Sequence, residues 1–256
     1  MSEDIQEQSD EHFDKISSDY DQLEFYGLSK TKWIVERAID YLEIQDSETI
    51  VDLGGGCGDL MNEICIRKKV KGYCMDISIN MLKVGREKHF QNKSLEFVHL
   101  PMDEISKFEL LADKFIVVSA IHFIKEDNLQ SFYETIYNKL GKSGKILMVT
   151  RREKVPNIPL IATIQKMWYS IPTKTIEVAL AKAGFKVSTE ERIYKYAITK
   201  SRWYEHMTKR FISTISTDVI SDEQIQVEIK ELDETLLKGK DIVEFDDICV
   251  FIVGSK

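Results

Sequence analysis

The sequence predicts an α/β fold: a doubly wound sheet of seven strands with helical insertions. Three observations lead to it. The apolar run Thr49–Leu53 closes on a turn made almost wholly of glycine, Gly54-Gly55-Gly56-Cys57-Gly58, which opens a helix. A second short apolar run closes on Asp76, 22 positions beyond Gly54. After it, short apolar runs and helical patterns continue to alternate, as a parallel sheet with crossover helices requires.

In order along the chain, residues 1–10 read as a disordered acidic lead. Phe13, Ile16, Tyr20 and Leu23 recur at spacings of three and four, and a second helix over about 30–44 gathers Trp33, Ile34, Arg37, Ala38, Tyr41 and Leu42. Strand 49–53, helix 59–69, strand 72–76, helix 78–89 and strand 95–99 follow. Phe115–Ser119 forms the fourth strand, and a helix lies near 127–140. Gly141-Lys142-Ser143-Gly144 reads as a turn before the fifth strand, Lys145–Thr150. A helix over about 173–183 stops at Gly184, as a C-terminal cap would stop it. Strands over about 185–193 and 248–253 complete the set. Two stretches, about 152–172 and 195–242, exceed what the alternation needs.

At 256 residues and 43% hydrophobic content, the chain suits one α/β domain with insertions, expected over 11–256. The net charge of −8 argues against a nucleic-acid partner, whose footprint is basic. The four cysteines form no CxxC pair, so neither a metal site nor a redox motif is expected. No apolar run approaches a membrane span, and the acidic start is unlike a signal peptide. The expectation is a cytoplasmic protein, monomeric or homodimeric, acting on a small molecule without nucleic acid or membrane.

A glycine turn at the carboxyl end of a first strand is where such folds hold a nucleoside. A dinucleotide fingerprint would place glycine at 59; Asp59 stands there, and a carboxylate at a helix start disfavours pyrophosphate. A nucleoside carrying positive charge fits better. The run Asp52–Gly58 resembles the first motif, (D/E)xGxGxG, of class I S-adenosylmethionine-dependent methyltransferases. Asp76, in Gly72-Tyr73-Cys74-Met75-Asp76-Ile77-Ser78, resembles that family's second motif. The resemblance covers residues 49–150 well and the rest in outline. It implies a Rossmann-like methyltransferase fold, a mostly parallel sheet whose last strand is antiparallel, with S-adenosylmethionine as cofactor.

The implied cofactor residues are Asp52, Gly54, Gly56, Asp76, Ile77, Met102, Asp103 and Ser119. Asp76 would accept the ribose hydroxyls. Asp103 and the Met102 backbone are the nearest candidates for the adenine, since Pro101 stands where an acid is often found. A further departure is Ile116, where the family often carries an acid. Ser119-Ala120-Ile121-His122-Phe123 is similar to the (Ser/Ala)-x-x-His-(Phe/Trp) segment of small-molecule methyltransferases acting on trans-aconitate or juvenile hormone acid. His122, whose ordinary pKa lies near neutrality, is the candidate catalytic base.

The antiparallel last strand would bring both insertions out at the carboxyl edge of the sheet. With the amino-terminal segment 11–44 they are expected to form a lid, with Tyr20, Tyr26, Arg151, Trp168, Arg202 and Trp203 as substrate contacts. A carboxylate acceptor would want Arg202 or Arg151, and an amine acceptor would want an aromatic cage. Oxygen and nitrogen acceptors both stay open. A protein or RNA methyltransferase, or a non-catalytic nucleoside-binding protein of the same fold, is the alternative reading.

Overall fold

The computed structural model describes residues 27–153, 158–210 and 220–256. The acidic lead and the helix expected from Phe13 lie outside these residues. The first described helix, α1 (Leu28–Leu42), turns Ile34, Val35, Ala38 and Leu42 inward. There follow β1 (Thr49–Leu53), α2 (Asp59–Arg67), β2 (Lys71–Asp76), α3 (Ile79–Lys88) and β3 (Leu95–His99). A 3-10 turn over Met102–Lys107 leads to β4 (Ala112–Val118), and short 3-10 turns lead to α4 (Leu129–Lys139). The remainder is β5 (Leu140–Arg151), α5 (Ala162–Met167), α6 (Thr173–Lys182), β6 (Lys186–Thr199), α7 (Lys200–Thr208), α8 (Asp222–Glu234) and β7 (Ile242–Ser255).

The seven strands form one sheet in the order β3-β2-β1-β4-β5-β7-β6, with β7 antiparallel to both of its neighbours. Strand order reverses between β1 and β4, so their carboxyl ends flank the crevice where such sheets take a ligand. Both faces of the sheet are covered. Val51, Leu53, Phe115, Val117, Ile146 and Met148 pack with α4 and α6 on one side. Ile50, Cys74, Ile116, Leu147 and Phe251 pack with α1, α2 and α3 on the other. Successive strand residues therefore bury opposite faces, which is why these strands read as unbroken apolar runs.

Two sequence expectations change. Residues 141–144 are not a turn. They lie within β5, whose pairing with β4 jumps from Ala112↔Leu140 to Lys114↔Lys145, so the extra residues form a bulge. The insertion expected from 195 starts later, because β6 and β7 stay paired out to Thr199↔Ile242. Alternate residues of this extension, Tyr196, Ile198, Val243 and Phe245, are buried and hold the strands as one ribbon.

The two insertions share a third core, separate from those on the sheet faces. Ile158, Leu160, Ile161 and Ile164 from the first pack against Trp203, Met207, Ile225, Ile229 and Leu232 from the second. Polar contacts join the same halves: Thr163 donates its backbone N–H and its hydroxyl to Glu228 at 2.9 and 2.6 Å. Since β5 and β6 both end at the carboxyl edge, this helical cap stands at the ligand-binding edge of the sheet.

Candidate active site

The turn after β1 is folded back onto β2. Gly54 and Gly55 both donate their N–H groups to the Met75 carbonyl, at 2.8 and 3.0 Å. A Cβ at Gly54, whose φ is +72°, would stand 2.7 Å from the Ala120 Cβ, so the turn sits against the tip of β4. Gly56 differs in kind. Its φ is +56°, and an added Cβ would meet only the flexible Met81 Cε, at 3.1 Å. The Gly56 main chain is only half-buried, and with no Cβ it leaves room for a ligand to approach it.

Two carboxylates stand beside this opening. Asp76 Oδ2 accepts the Gly56 N–H at 2.8 Å and Oδ1 accepts the Ser78 N–H at 2.9 Å, fixing the side chain at the tip of β2. Asp52 is 2% exposed, and no described residue donates a hydrogen bond or an ion pair to its carboxylate. Burial, and then the neighbouring charge of Asp76, push its pKa from 3.8 up to about 7. A buried carboxylate with no protein cation suits a ligand that brings its own. Ile77 is half-buried, and its carbonyl meets His99 Nε2 at 2.8 Å. Asp59 lies in an ion pair with Lys88 at 2.8 Å, so part of the repulsion expected from it is already offset.

The tips of β3 and β4 complete this side. Met102 is buried with its Cε toward Gly54, whereas Asp103 is exposed on the 3-10 turn. Ser119 adopts φ +53°, uncommon outside glycine, while its N–H donates to the Val149 carbonyl at 2.8 Å. Strained backbone of this kind concentrates at functional sites. His122 follows in the 3-10 turn Ile121–Phe123, half-buried, with its ring 4.2 Å from that of Phe123. The neutral-range pKa expected for it does not hold: burial, and then the charge of Arg151, lower it to about 4.

Arg151 ends β5 and is buried. Its Nε and Nη2 donate to Asp247 Oδ1 and Oδ2 at 2.9 and 3.0 Å, and Lys30 Nζ from α1 reaches Oδ2 at 2.5 Å. Burial raises the Asp247 pKa, but Arg151 and Lys30 outweigh it and hold the carboxyl far below the ordinary range. Sequence reasoning missed Lys30 and Asp247; an acid at an inward-facing position of β7, between Phe245 and Cys249, was the available signal. The Trp168 ring lies 5.6 Å from the Arg151 guanidinium carbon.

Of the other expected substrate contacts, two lie in the cap core or on its helix α7. Trp203 is wholly buried in the cap core, with Nε1 donating to the Pro159 carbonyl at 2.7 Å, and in this conformation it presents no surface to a ligand. Arg202 pairs with Glu205 across one helical turn of α7. Tyr20 and Tyr26 lie outside the described residues. Among the described residues, no helix is long and apolar enough to cross a membrane.

Known proteins share this architecture. A curated ubiquinone/menaquinone biosynthesis C-methyltransferase, UbiE of Coxiella burnetii, is 22% identical over 200 residues, covering 75% of each chain. Phosphoethanolamine N-methyltransferase 2 of Haemonchus contortus, solved with phosphomonomethylethanolamine and S-adenosylhomocysteine, superposes with a TM-score of 0.59 at 19% identity. That match covers 90% of this chain and only 53% of the larger enzyme. The cyclopropane synthase MmaA2 of Mycobacterium tuberculosis gives a TM-score of 0.56 at 15% identity, covering 86% of this chain and 82% of that one.

Fold, turn and matches together define a class I S-adenosylmethionine-dependent methyltransferase. The cofactor is S-adenosylmethionine. The half-buried Gly56 main chain, the anchored Asp76 and the cation-seeking Asp52 fit its ribose and its positive charges. Within this class, the chain belongs to the CMAS family, mycolic acid cyclopropane synthetase, whose model matches residues 21–229.

Proposed function

We propose that the protein transfers the methyl group of S-adenosylmethionine to an oxygen or nitrogen of a small molecule held between the sheet edge and the cap. The observation that carries this reading is Asp52. It is a buried carboxylate with no cation beside it among the described residues, next to a glycine turn whose main chain is only half-buried. Asp76 receives the ribose hydroxyls, Met102 and Ile77 flank the adenine with Asp103 at its rim, and the Ser119 turn borders the methyl group. The cofactor supplies an activated methyl on a sulfonium, so the chain's own task is alignment, which can lower a barrier by roughly 7–11 kcal/mol. His122 is a neutral imidazole at pH 7 because its pKa is about 4. It accepts a hydrogen bond from the acceptor and orients it, and it takes a proton only weakly. The described chain is read as one methyltransferase domain, with residues 158–172 and 200–241 as its cap.

The test is calorimetry with S-adenosylmethionine and S-adenosylhomocysteine. Wild-type protein should bind both. Gly56→Val should abolish binding, since a branched side chain at φ +56° both strains the backbone and fills the approach. Asp76→Ala should weaken binding by about 1.5–3 kcal/mol, the worth of a hydrogen bond to a charged group. Absence of binding by the wild type would sink the reading.

A further inference from the structure

The two indoles of the cap are in opposite situations. Trp203 Nε1–H donates to Pro159. Trp168 Nε1–H is screened from solvent and meets no acceptor among the described residues. Buried donors without acceptors are rare, because folding strips the group of water and returns nothing. Trp168 is also the indole beside the Arg151 guanidinium, which Asp247 grips by Nε and Nη2 and so holds at a set angle. Lys30 joins the same carboxylate, and His122 lies close enough to feel the Arg151 charge. An unmatched N–H donor on the ring beside a fixed guanidinium is the chemistry that receives an anionic oxygen.

We propose that Trp168 determines substrate specificity, its Nε1–H receiving a carboxylate or phosphate oxygen of the methyl acceptor beside Arg151. This rests on the methyltransferase reading above. An acceptor without an anionic oxygen would leave the indole N–H unmatched in the closed site and would bind less well. Trp168→Phe tests the point, because it keeps an aromatic ring beside Arg151 while removing the N–H donor. Arg151 itself is less suited to substitution, since its loss would remove one of the two cations that hold the buried Asp247 carboxylate.

The experiment uses the full-length 15N-labelled chain saturated with S-adenosylhomocysteine. Proton–nitrogen spectra follow the indole N–H signals during titration with inorganic phosphate, butyrate and the uncharged butyramide, with potassium chloride as the ionic-strength control. The Trp168 signal is the one absent from Trp168→Phe. It should move downfield and saturate with phosphate or butyrate at a midpoint on the order of 1–10 mM, and stay in place with butyramide and chloride. A response to phosphate alone would assign a phosphate-bearing acceptor, and a response to butyrate alone a carboxylate. By calorimetry, Trp168→Phe should weaken the effective anion about tenfold while keeping the wild-type melting temperature. The proposal is overturned if neither anion moves the signal, if butyramide moves it equally, or if the variant binds the anion as well as wild type. Failure to bind S-adenosylhomocysteine at the outset would overturn the methyltransferase reading and this proposal with it. Binding of S-adenosylhomocysteine with a silent indole would overturn this proposal alone.

Discussion

Replacing Asp52 by asparagine should make the cofactor-free protein more stable at alkaline pH and a poorer cofactor binder. The folded-state pKa of Asp52 is raised from 3.8 to about 7. A raised pKa means that the folded chain holds the proton more tightly than the unfolded chain does. Stability from this group is therefore fully present below about pH 4 and is lost as pH rises through 7. The whole loss corresponds to about 4 kcal/mol at about 1.4 kcal/mol per pKa unit, and about 2–3 kcal/mol of it falls between pH 5 and 8. Urea unfolding of wild type and Asp52→Asn at pH 5, 6, 7 and 8 measures it. The variant-minus-wild-type difference should grow by that amount across the series, whatever other groups titrate. Cofactor binding should run the other way, losing about 1.5–3 kcal/mol with the charge. In wild type at pH 6, calorimetry in two buffers of different ionisation enthalpy should show proton release as the cation enters. Parallel stability curves for the two proteins would refute the placement of Asp52 as a buried carboxylate without a cation.

Three other outcomes are expected. At saturating cofactor, which holds Asp52 ionised, the pH–rate profile should be flat from 6 to 8 and fall only near pH 4, where His122 gains its proton; an inflection near 6.5 that persists at saturation would show that Arg151 and burial do not act on it. His122→Asn should lower the rate roughly 10²-fold, the lower end of what a proton acceptor contributes. Trp203→Ala should destabilise the protein by about 3–5 kcal/mol in urea by emptying the cap core. Cofactor affinity measured on the folded fraction should stay within about twofold, because Asp52, Gly56 and Asp76 belong to the sheet; equal losses would mean that the cap shapes the cofactor site. Asp247→Asn should cost about 3–5 kcal/mol, since it leaves two buried cations without their shared carboxylate; a change below about 1 kcal/mol would contradict the ion cluster.

The candidate cofactor site was legible in the sequence because its determinants are local. Glycines at a strand end and an acid closing the next strand are adjacent in the chain, and both report backbone demands that few residues meet. Ser119 gave no such signal, since its positive φ is enforced by packing and the Val149 contact rather than by residue type. The acceptor side was legible only in part: Arg151, Trp168 and His122 were expected there, but the ion cluster that fixes Arg151 was not. Lys30 and Asp247 are 217 positions apart, and nothing local to either predicts the other. Trp168 and Trp203 look alike as sequence, both aromatic and both in insertions. Only the packing of one insertion on the other decides that Trp203 fills a core while the Trp168 ring lies beside Arg151 with its N–H buried and without an acceptor among the described residues. The extension of β6 and β7 did carry a period-two pattern, but the charged residues between its buried ones masked it.

The charges of the site are arranged across the sheet edge, and that arrangement bears on the acceptor. Asp52 and Asp76 stand at the tips of β1 and β2, favouring positive charge there. Arg151 ends β5, and Lys30 meets it from α1 on a single shared carboxylate. Methyl transfer carries a unit of positive charge from the first side toward the second. A neutral amine would become a cation near Arg151, the charge that already helps depress the His122 pKa. Against that field, the transition state for a neutral acceptor is disfavoured, whereas an anionic oxygen on the acceptor offsets the arriving charge. Under the proposed reading, this field favours an acid-bearing substrate even when the atom methylated is a nitrogen, and the proposed contact to the Trp168 indole N–H would supply the geometric half of the same selection.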